Sequence, residues 1–122
     1  MTADQEGGYG AAAQVLATGA TGVFCHNDRT ALGLYDALRE SGKRVPDDIS
    51  VVGFDNQEVI SAHTHPALTT VSLPQYDLGV MGVRTLLRRC GADNDESEIV
   101  SERFEPVHVQ CPAVPRDPVR TL

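Results

Sequence analysis

Apolar and polar positions recur along this chain with two different periods, and their order predicts that strands and helices alternate. Short apolar runs rich in β-branched residues predict buried strands, and apolar stripes that repeat every three to four residues predict helices. The predicted helices are 4–17, 29–41, 57–62 and 75–90, and the predicted strands are 23–25, 49–54, 68–71, 99–104 and 107–111. The alternation over residues 23–71 indicates βαβ units and a parallel sheet.

Polar residues directly follow two of the predicted strands, at the ends where parallel sheets bind ligands. These residues are His26, Asn27 and Asp28 after the strand at 23–25, and Asp55 and Asn56 after the strand at 49–54. Because the carboxyl ends of parallel strands share one edge of the sheet, we expect Asn27 and Asp55 to reach a single crevice. An amide and a carboxylate in that crevice predict a site for a small polar ligand.

Each of these polar residues also has a structural interpretation. Asp28 precedes a helix, so capping the helix is a plainer role for it than contact with a ligand. A turn is the alternative for Asn27, and an Asx turn before the helix at 57–62 is the alternative for Asp55. We favour ligand binding for Asp55, since a strand-end carboxylate accepts hydrogen bonds from sugar hydroxyls or ring N–H groups, and we assign the Asx turn to Asn56.

Composition narrows the classes of function. The chain has 122 residues, of which 41% are hydrophobic, and this is enough for one modest core. A formal net charge of −7 makes the segment itself a poor ligand for nucleic acid. Three widely separated cysteines predict free thiols, and neither a membrane span nor a secretory signal is visible. We predict no metal or cofactor, because the pair His63 and His65 has no further ligand in register.

An enzyme is the weakest of the functional interpretations. Asp55 and His26 are the residues that an acid–base mechanism would use. However, the sequence contains no nucleophile elbow, P-loop, GxGxxG segment or metal motif that would support catalysis. We therefore assign no catalytic residue and expect a binding protein.

Three segments resemble the effector-binding core of the lactose/galactose-repressor family of bacterial transcription regulators. They are CHNDRTALG at 25–33, VPDDISVVGFDN at 45–56 and PALTTV at 66–71, and Leu78-Gly79 follows. The middle segment is the most specific, and the order and spacing agree from about Gly8 to Val109. The resemblance implies a periplasmic-binding-protein-like lobe, which is a three-layer α/β fold with a parallel sheet and helices on both faces, here truncated.

The resemblance also implies a function. In this family, two α/β lobes close over a sugar, nucleoside or purine, and closure alters how a dimer presents its helix-turn-helix headpieces to an operator. This chain would then be the C-terminal part of the effector-binding domain of a cytoplasmic regulator. It would contact DNA only through an N-terminal headpiece that it lacks. A fragment of a periplasmic sugar-binding protein, with the same fold and no role on DNA, is the alternative.

Particular residues receive roles from the resemblance. Asn27 and Asp55 would contact the effector, with Asp28 as a further candidate, and a homodimer interface would include Leu32, Tyr35 and His63. Residues 75–104 would normally pack on a first lobe that is absent here, and residues 112–122 would form a frayed tail. The arginine that relatives carry near the end of the last strand corresponds to Gln110, or is shifted along the chain.

Overall fold

The computed structural model describes residues 2–90 and 108–117, which form four helices and four short strands. The helices are α1 (Gln5–Ala17), α2 (Asp28–Glu40), α3 (Glu58–Ser61) and α4 (Gln75–Arg89). The strands are β1 (Gly22–Phe24), β2 (Ser50–Val52), β3 (Thr70–Val71) and β4 (Ala113–Val114). The described residues divide into two compact units, one of residues 2–73 with 112–117 and one of residues 74–90 with 108–111.

The strands of the first unit follow the predicted parallel order. Strand β1 pairs with β2 in parallel, with Val23 opposite Val51. Isolated parallel bridges then join Val52 to Thr69 and Asp55 to Ser72, which extends the parallel order to the segment of β3. The strand predicted at 49–54 is shorter in the structure, where β2 spans Ser50–Val52, and Asp55 beyond it has a positive φ. The α/β fold class with a parallel sheet is confirmed.

The C-terminal segment differs from the prediction. The strand predicted at 99–104 lies outside the described residues, and residues 108–111 are not a strand. Strand β4 instead lies within the predicted tail and pairs antiparallel with β3. Arg116 explains this, because its main-chain N–H donates to Thr69 Oγ1 at 2.8 Å and its Nη1 donates to the Leu68 carbonyl at 2.9 Å. The prediction that this part of the tail is frayed was wrong.

The core of the first unit lies between helices α1 and α2 and one face of the sheet. Leu38 of α2 and Val51 of β2 are both 0% exposed and belong to one apolar cluster with Ala12 of α1. The two helices approach closely at Gly33, where a Cβ atom would lie 1.8 Å from the Gln5 carbonyl oxygen. A side chain at this position would force the helices apart, so the tight packing of α1 on α2 depends on glycine.

Helix α4 in the second unit carries the apolar stripe that its sequence predicts, and this stripe is exposed. Tyr76 is 81% exposed, Val83 58% and Leu87 45%, and the helix has no buried residue. Exposed side chains of this size each forgo about 1.5–3 kcal/mol of burial free energy. That residues 75–104 pack on a further lobe stays a prediction, and the exposed stripe is the feature that such packing would cover.

We expect the purified 122-residue chain to self-associate at micromolar concentrations, because association removes the α4 stripe from water. Val83→Glu places a charge in the middle of this stripe and should shift the mass measured by light scattering towards the monomer. Thr85→Glu adds the same charge at an exposed position of α4 outside the stripe and should leave association unchanged. A wild-type chain that is monomeric under these conditions would contradict the prediction.

Candidate ligand-binding site

A buried carboxylate connects the chain segments at the ends of the first three strands. Asp28 is the first residue of α2 and is 0% exposed. Its Oδ1 atom accepts a hydrogen bond from the Thr70 hydroxyl at 2.6 Å, and its Oδ2 atom accepts one from the main-chain N–H of Gln57 at 2.7 Å. The main-chain N–H of Asp28 donates to the Phe54 carbonyl at 2.9 Å. The residues that follow β1 and β2 are thereby brought together beside β3.

Gly53 provides the space that this carboxylate occupies. A Cβ atom at position 53 would lie 2.2 Å from Asp28 Oδ1 and 2.9 Å from a methyl carbon of Leu68. Both distances are shorter than real contacts of a Cβ atom, so a larger residue would displace the carboxylate. The buried position of the Asp28 carboxylate therefore requires glycine at position 53, directly after β2.

The structure gives Asn27 and Asp28 roles in the fold that the sequence did not predict. Asn27 is the N-cap of α2, because its Oδ1 atom accepts from the Thr30 N–H at 2.8 Å and its backbone is extended. Its Nδ2 atom donates to the Ala3 carbonyl at 2.9 Å. The prediction that Asp28 caps the helix was wrong. Because Asp28 has no exposed surface and hydrogen bonds to both oxygens, it serves the fold and offers no face to a ligand.

Asp55 lies at the carboxyl end of β2, where the sequence places it, and is half-buried. Its φ is +102° and that of Asn56 is +53°, a region that residues other than glycine seldom adopt. The main-chain N–H of Asp55 donates to the Val71 carbonyl at 2.9 Å, which holds this conformation against β3. Helix α3 receives no side-chain cap, so Asp55 does not form the alternative Asx turn. Backbone strain of this kind clusters at functional sites.

Sequence reasoning missed two residues beside Asp55. Gln57 Nε2 donates to Asp55 Oδ2 at 3.2 Å, and Arg29 Nε donates to Gln57 Oε1 at 3.3 Å. Arg29 belongs to the first turn of α2, so it reaches Gln57 only because β1 and β2 are parallel neighbours. No motif marks either residue. The only available signal was that both lie within two residues of a predicted site residue.

Arg116 is a third residue that the sequence did not reveal. Its Nη2 atom donates to Asn56 Oδ1 at 3.1 Å, and the same oxygen accepts from the Ser61 hydroxyl at 3.3 Å. Asn56 thus connects α3 with the C-terminal segment, and the Asx turn assigned to it was wrong. An arginine therefore does lie near the end of the last described strand, at position 116 instead of 110.

The residues predicted for a homodimer interface line a different surface. Leu32 and Tyr35 of α2 and His63 after α3 line a shallow groove of about 250 Å³. Tyr35 is only 3% exposed, so most of its surface already packs inside the chain, whereas Val59 beside it is 86% exposed. The accessible side chains of the groove therefore include Leu32, His63 and Val59, together with the exposed Arg39 and His65. Neither Asn27 nor Asp55 is among its lining residues.

Three further features concern the described residues alone. Residues 2–90 and 108–117 contain no group of three or more His, Cys, Asp or Glu placed to hold a metal ion. Over the same residues, every helix is too short or too polar to cross a membrane. Cys25 is a free, buried thiol, and burial raises its pKa to about 11.

Replacing Asp28 with alanine should destabilise the chain by about 1–3 kcal/mol, because the buried donors of Thr70 and Gln57 lose their acceptor. Thr70→Val removes one donor and keeps the side-chain shape, so its loss should be smaller. Urea unfolding monitored by circular dichroism measures both. Equal unfolding midpoints for wild type and Asp28→Ala would contradict the assigned role.

The difference in stability between wild type and Asp28→Ala should also depend on pH. Burial raises the pKa of Asp28 above its ordinary value of 3.8, and the hydrogen bonds from Thr70 and Gln57 oppose this shift. The folded chain therefore binds this proton more tightly than the unfolded chain does. The stability advantage of wild type over Asp28→Ala should fall as the pH rises from 3.8 through the raised pKa. An advantage that grows over this range would show a lowered pKa instead.

Comparison with known proteins matches residues 1–109 to the periplasmic binding protein-like domain. The transcriptional regulator MalR of Streptomyces coelicolor is 46% identical over 86 residues, which cover 70% of this chain and 25% of MalR. The repressor PurR of Vibrio atlanticus is 41% identical over 102 residues, covering 84% of this chain and 28% of PurR. A LacI family regulator of Enterococcus faecalis, solved with bound ribose, superposes with a TM-score of 0.79 and 32% identity, covering 95% of this chain and 40% of that one.

These matches confirm the family and the fold class expected from the sequence. The chain spans about a quarter of the length of the curated relatives it matches. Those relatives are transcriptional regulators, which agrees with the expectation of a binding protein rather than an enzyme. The chain belongs to the periplasmic binding protein-like domain family, as part of a LacI-family effector-binding domain.

Proposed function

We propose that this chain is the effector-binding part of a bacterial transcription regulator, and that it binds a sugar or nucleoside at the carboxyl ends of β1 and β2. The observation that carries this proposal is the half-buried carboxylate of Asp55, held at a strand end by a backbone with positive φ. The ribose bound to the E. faecalis relative supports a carbohydrate-like ligand. The regulators among the relatives favour this function over that of a periplasmic sugar-binding protein.

The chemistry of Asp55 suits a ligand with hydroxyl groups. Its Oδ2 atom accepts one hydrogen bond from Gln57, whereas none of the described residues donates to Oδ1. A carboxylate oxygen in this position accepts a hydrogen bond from a sugar hydroxyl, and such charge-assisted bonds are stronger than neutral ones. We therefore propose that Asp55 is the main residue that orients the effector.

Asn27 has a smaller part in the proposed site. Its Oδ1 atom caps α2, and one hydrogen of Nδ2 goes to the Ala3 carbonyl. A side-chain amide has a second N–H, which is the group that we assign to the effector. Because most of this side chain already serves the fold, we expect it to contribute less binding free energy than Asp55.

The proposed protein is a cytoplasmic homodimer. We assign the contact between two copies to the groove of Leu32, Tyr35 and His63, to which Val59 adds an exposed apolar side chain. This surface is separate from the strand ends, so two copies could associate without covering Asp55.

Asp55→Ala should weaken binding of D-ribose or inosine by ten- to hundredfold, which corresponds to about 1.5–3 kcal/mol for a lost charge-assisted hydrogen bond. Asn27→Ser keeps a capping oxygen and removes the amide donor, so its effect should be in the same direction and smaller. Titrations followed by the NMR shifts of backbone amides measure both affinities.

Asp47→Ala is the matched control for the loss of a carboxylate, because Asp47 forms an exposed ion pair with Arg44 before β2, whereas Asp55 follows this strand. Its affinity should equal that of the wild type. Unchanged affinity in Asp55→Ala would remove that residue from the site. Failure of the wild-type chain to bind either compound would contradict D-ribose and inosine as ligands of this chain.

We infer that contacts with operator DNA are made outside this chain. It carries 17 acidic residues against 10 Lys and Arg, and DNA binding requires a surplus of positive charge at the contact. The isolated 122-residue chain should therefore show no salt-dependent binding to duplex DNA in a fluorescence anisotropy titration. Micromolar binding that weakens as salt is added would contradict this inference.

A further inference from the structure

The side chain of Gln57 lies between a cation and the proposed effector-binding carboxylate. Its Nε2 atom donates to Asp55 Oδ2 at 3.2 Å, and its Oε1 atom accepts from Arg29 Nε at 3.3 Å. Neither Gln57 nor Arg29 belongs to the candidate site that the sequence predicts. The three side chains form a chain of hydrogen bonds along the edge of the sheet where β1 and β2 end.

We propose that Gln57 is a positioning residue for effector recognition, whose side-chain amide, oriented by Arg29, fixes the carboxylate of Asp55. The proposal rests on the proposed function, since it concerns the same site. It adds a residue that does not touch the effector and still determines how tightly the effector binds.

The chemistry of the partners determines which way the amide points. Arginine has only donors, so the atom of Gln57 that faces Arg29 has to be the carbonyl oxygen. The NH₂ group is then directed at Asp55, whose ionised carboxylate has only acceptors. If Arg29 is removed, the amide loses one of the two partners that select this orientation. In the chain from Arg29 through Gln57 to Asp55, a donor therefore faces an acceptor at each contact.

The backbone of Gln57 is held independently of its side chain. Its main-chain N–H donates to the fully buried Asp28 at 2.7 Å, and the preceding residues Asp55 and Asn56 have positive φ angles. This anchoring keeps the amide within reach of Asp55 at small entropic cost. One carboxylate oxygen is then occupied by Gln57, and the other is presented to the effector in a fixed direction.

The hydrogen bonds can be tested without any ligand, by following the side-chain NH₂ resonances of Gln57 in ¹H–¹⁵N spectra. Asp55→Ala and Arg29→Ala should each shift these resonances. The matched control is Gln5, whose Nε2 atom donates to Asp36 Oδ2 at 3.0 Å, and its resonances should stay in place in both variants. Gln57 resonances that neither variant shifts would overturn the proposal.

Measurements of D-ribose or inosine binding test whether Gln57 affects how tightly the effector binds. Gln57→Leu removes both amide groups at similar size and should weaken binding about two- to tenfold, as expected for one hydrogen bond. In an Asp55→Ala background the same substitution should have no further effect, and Arg29→Ala should have none in a Gln57→Leu background. A purely structural role of Gln57 would instead lower the urea midpoint and act independently of Asp55.

The outcomes separate this inference from the function on which it rests. If the wild type binds and Gln57→Leu binds equally well, the positioning role is overturned while the proposed site stands. If the wild type binds neither compound, both are excluded as ligands of this chain, and the Gln57 resonances still decide whether the amide holds Asp55.

Discussion

Complete burial of one carboxylate determines how the strand ends of this chain are arranged. Asp28 has no exposed surface, and loss of water disfavours its ionised form, which raises its pKa. The Thr70 hydroxyl and the main-chain N–H of Gln57 offset part of this cost by donating to the two oxygens. Both donors come from other segments, so the chain satisfies this carboxylate only when β3 and the turn after β2 are in place.

The proposed effector site depends on that arrangement. Asp28 accepts a hydrogen bond from the main-chain N–H of Gln57, so the chain has to turn between the end of β2 and Gln57. Asp55 and Asn56 lie in this turn and adopt positive φ angles. The turn brings the Asp55 carboxylate beside the Gln57 amide, which Arg29 orients from α2. The buried Asp28 is thereby connected, through the main chain of Gln57, to the residue to which we assign effector binding.

The sequence predicts the larger features of this chain correctly. Apolar runs identified β1 and β2 and their parallel order, and the polar residue after β2 gave the position of Asp55. The expected burial was wrong for β1, where Phe24 is 63% exposed. The roles of Asn27 and Asp28 were not predictable in this way. Both residue types cap helices well, and the choice between them is made by burial against Thr70, which lies 42 positions away along the chain.

The remaining misses have a similar physical origin. Strand β4 is short, and it is held by contacts of Arg116 with Leu68 and Thr69 rather than by an apolar pattern of its own. Gln57 and Arg29 become neighbours only through the tertiary fold. The local sequence pattern indicates which secondary structure a segment favours and which of its faces is apolar. The contacts of Arg116 and of Gln57 with Arg29 instead depend on segments that are distant along the chain.

Hydrogen exchange at the main-chain amide of Gln57 measures most directly whether the buried Asp28 holds the site. In the wild type this amide should exchange slowly, because its acceptor is inaccessible to water. The amide of Val59, two residues further along and in the first turn of the short helix α3, provides an exposed reference. Slow exchange at Gln57 that becomes fast in Asp28→Ala would support the arrangement. Exchange at Gln57 in the wild type as fast as at Val59 would contradict it.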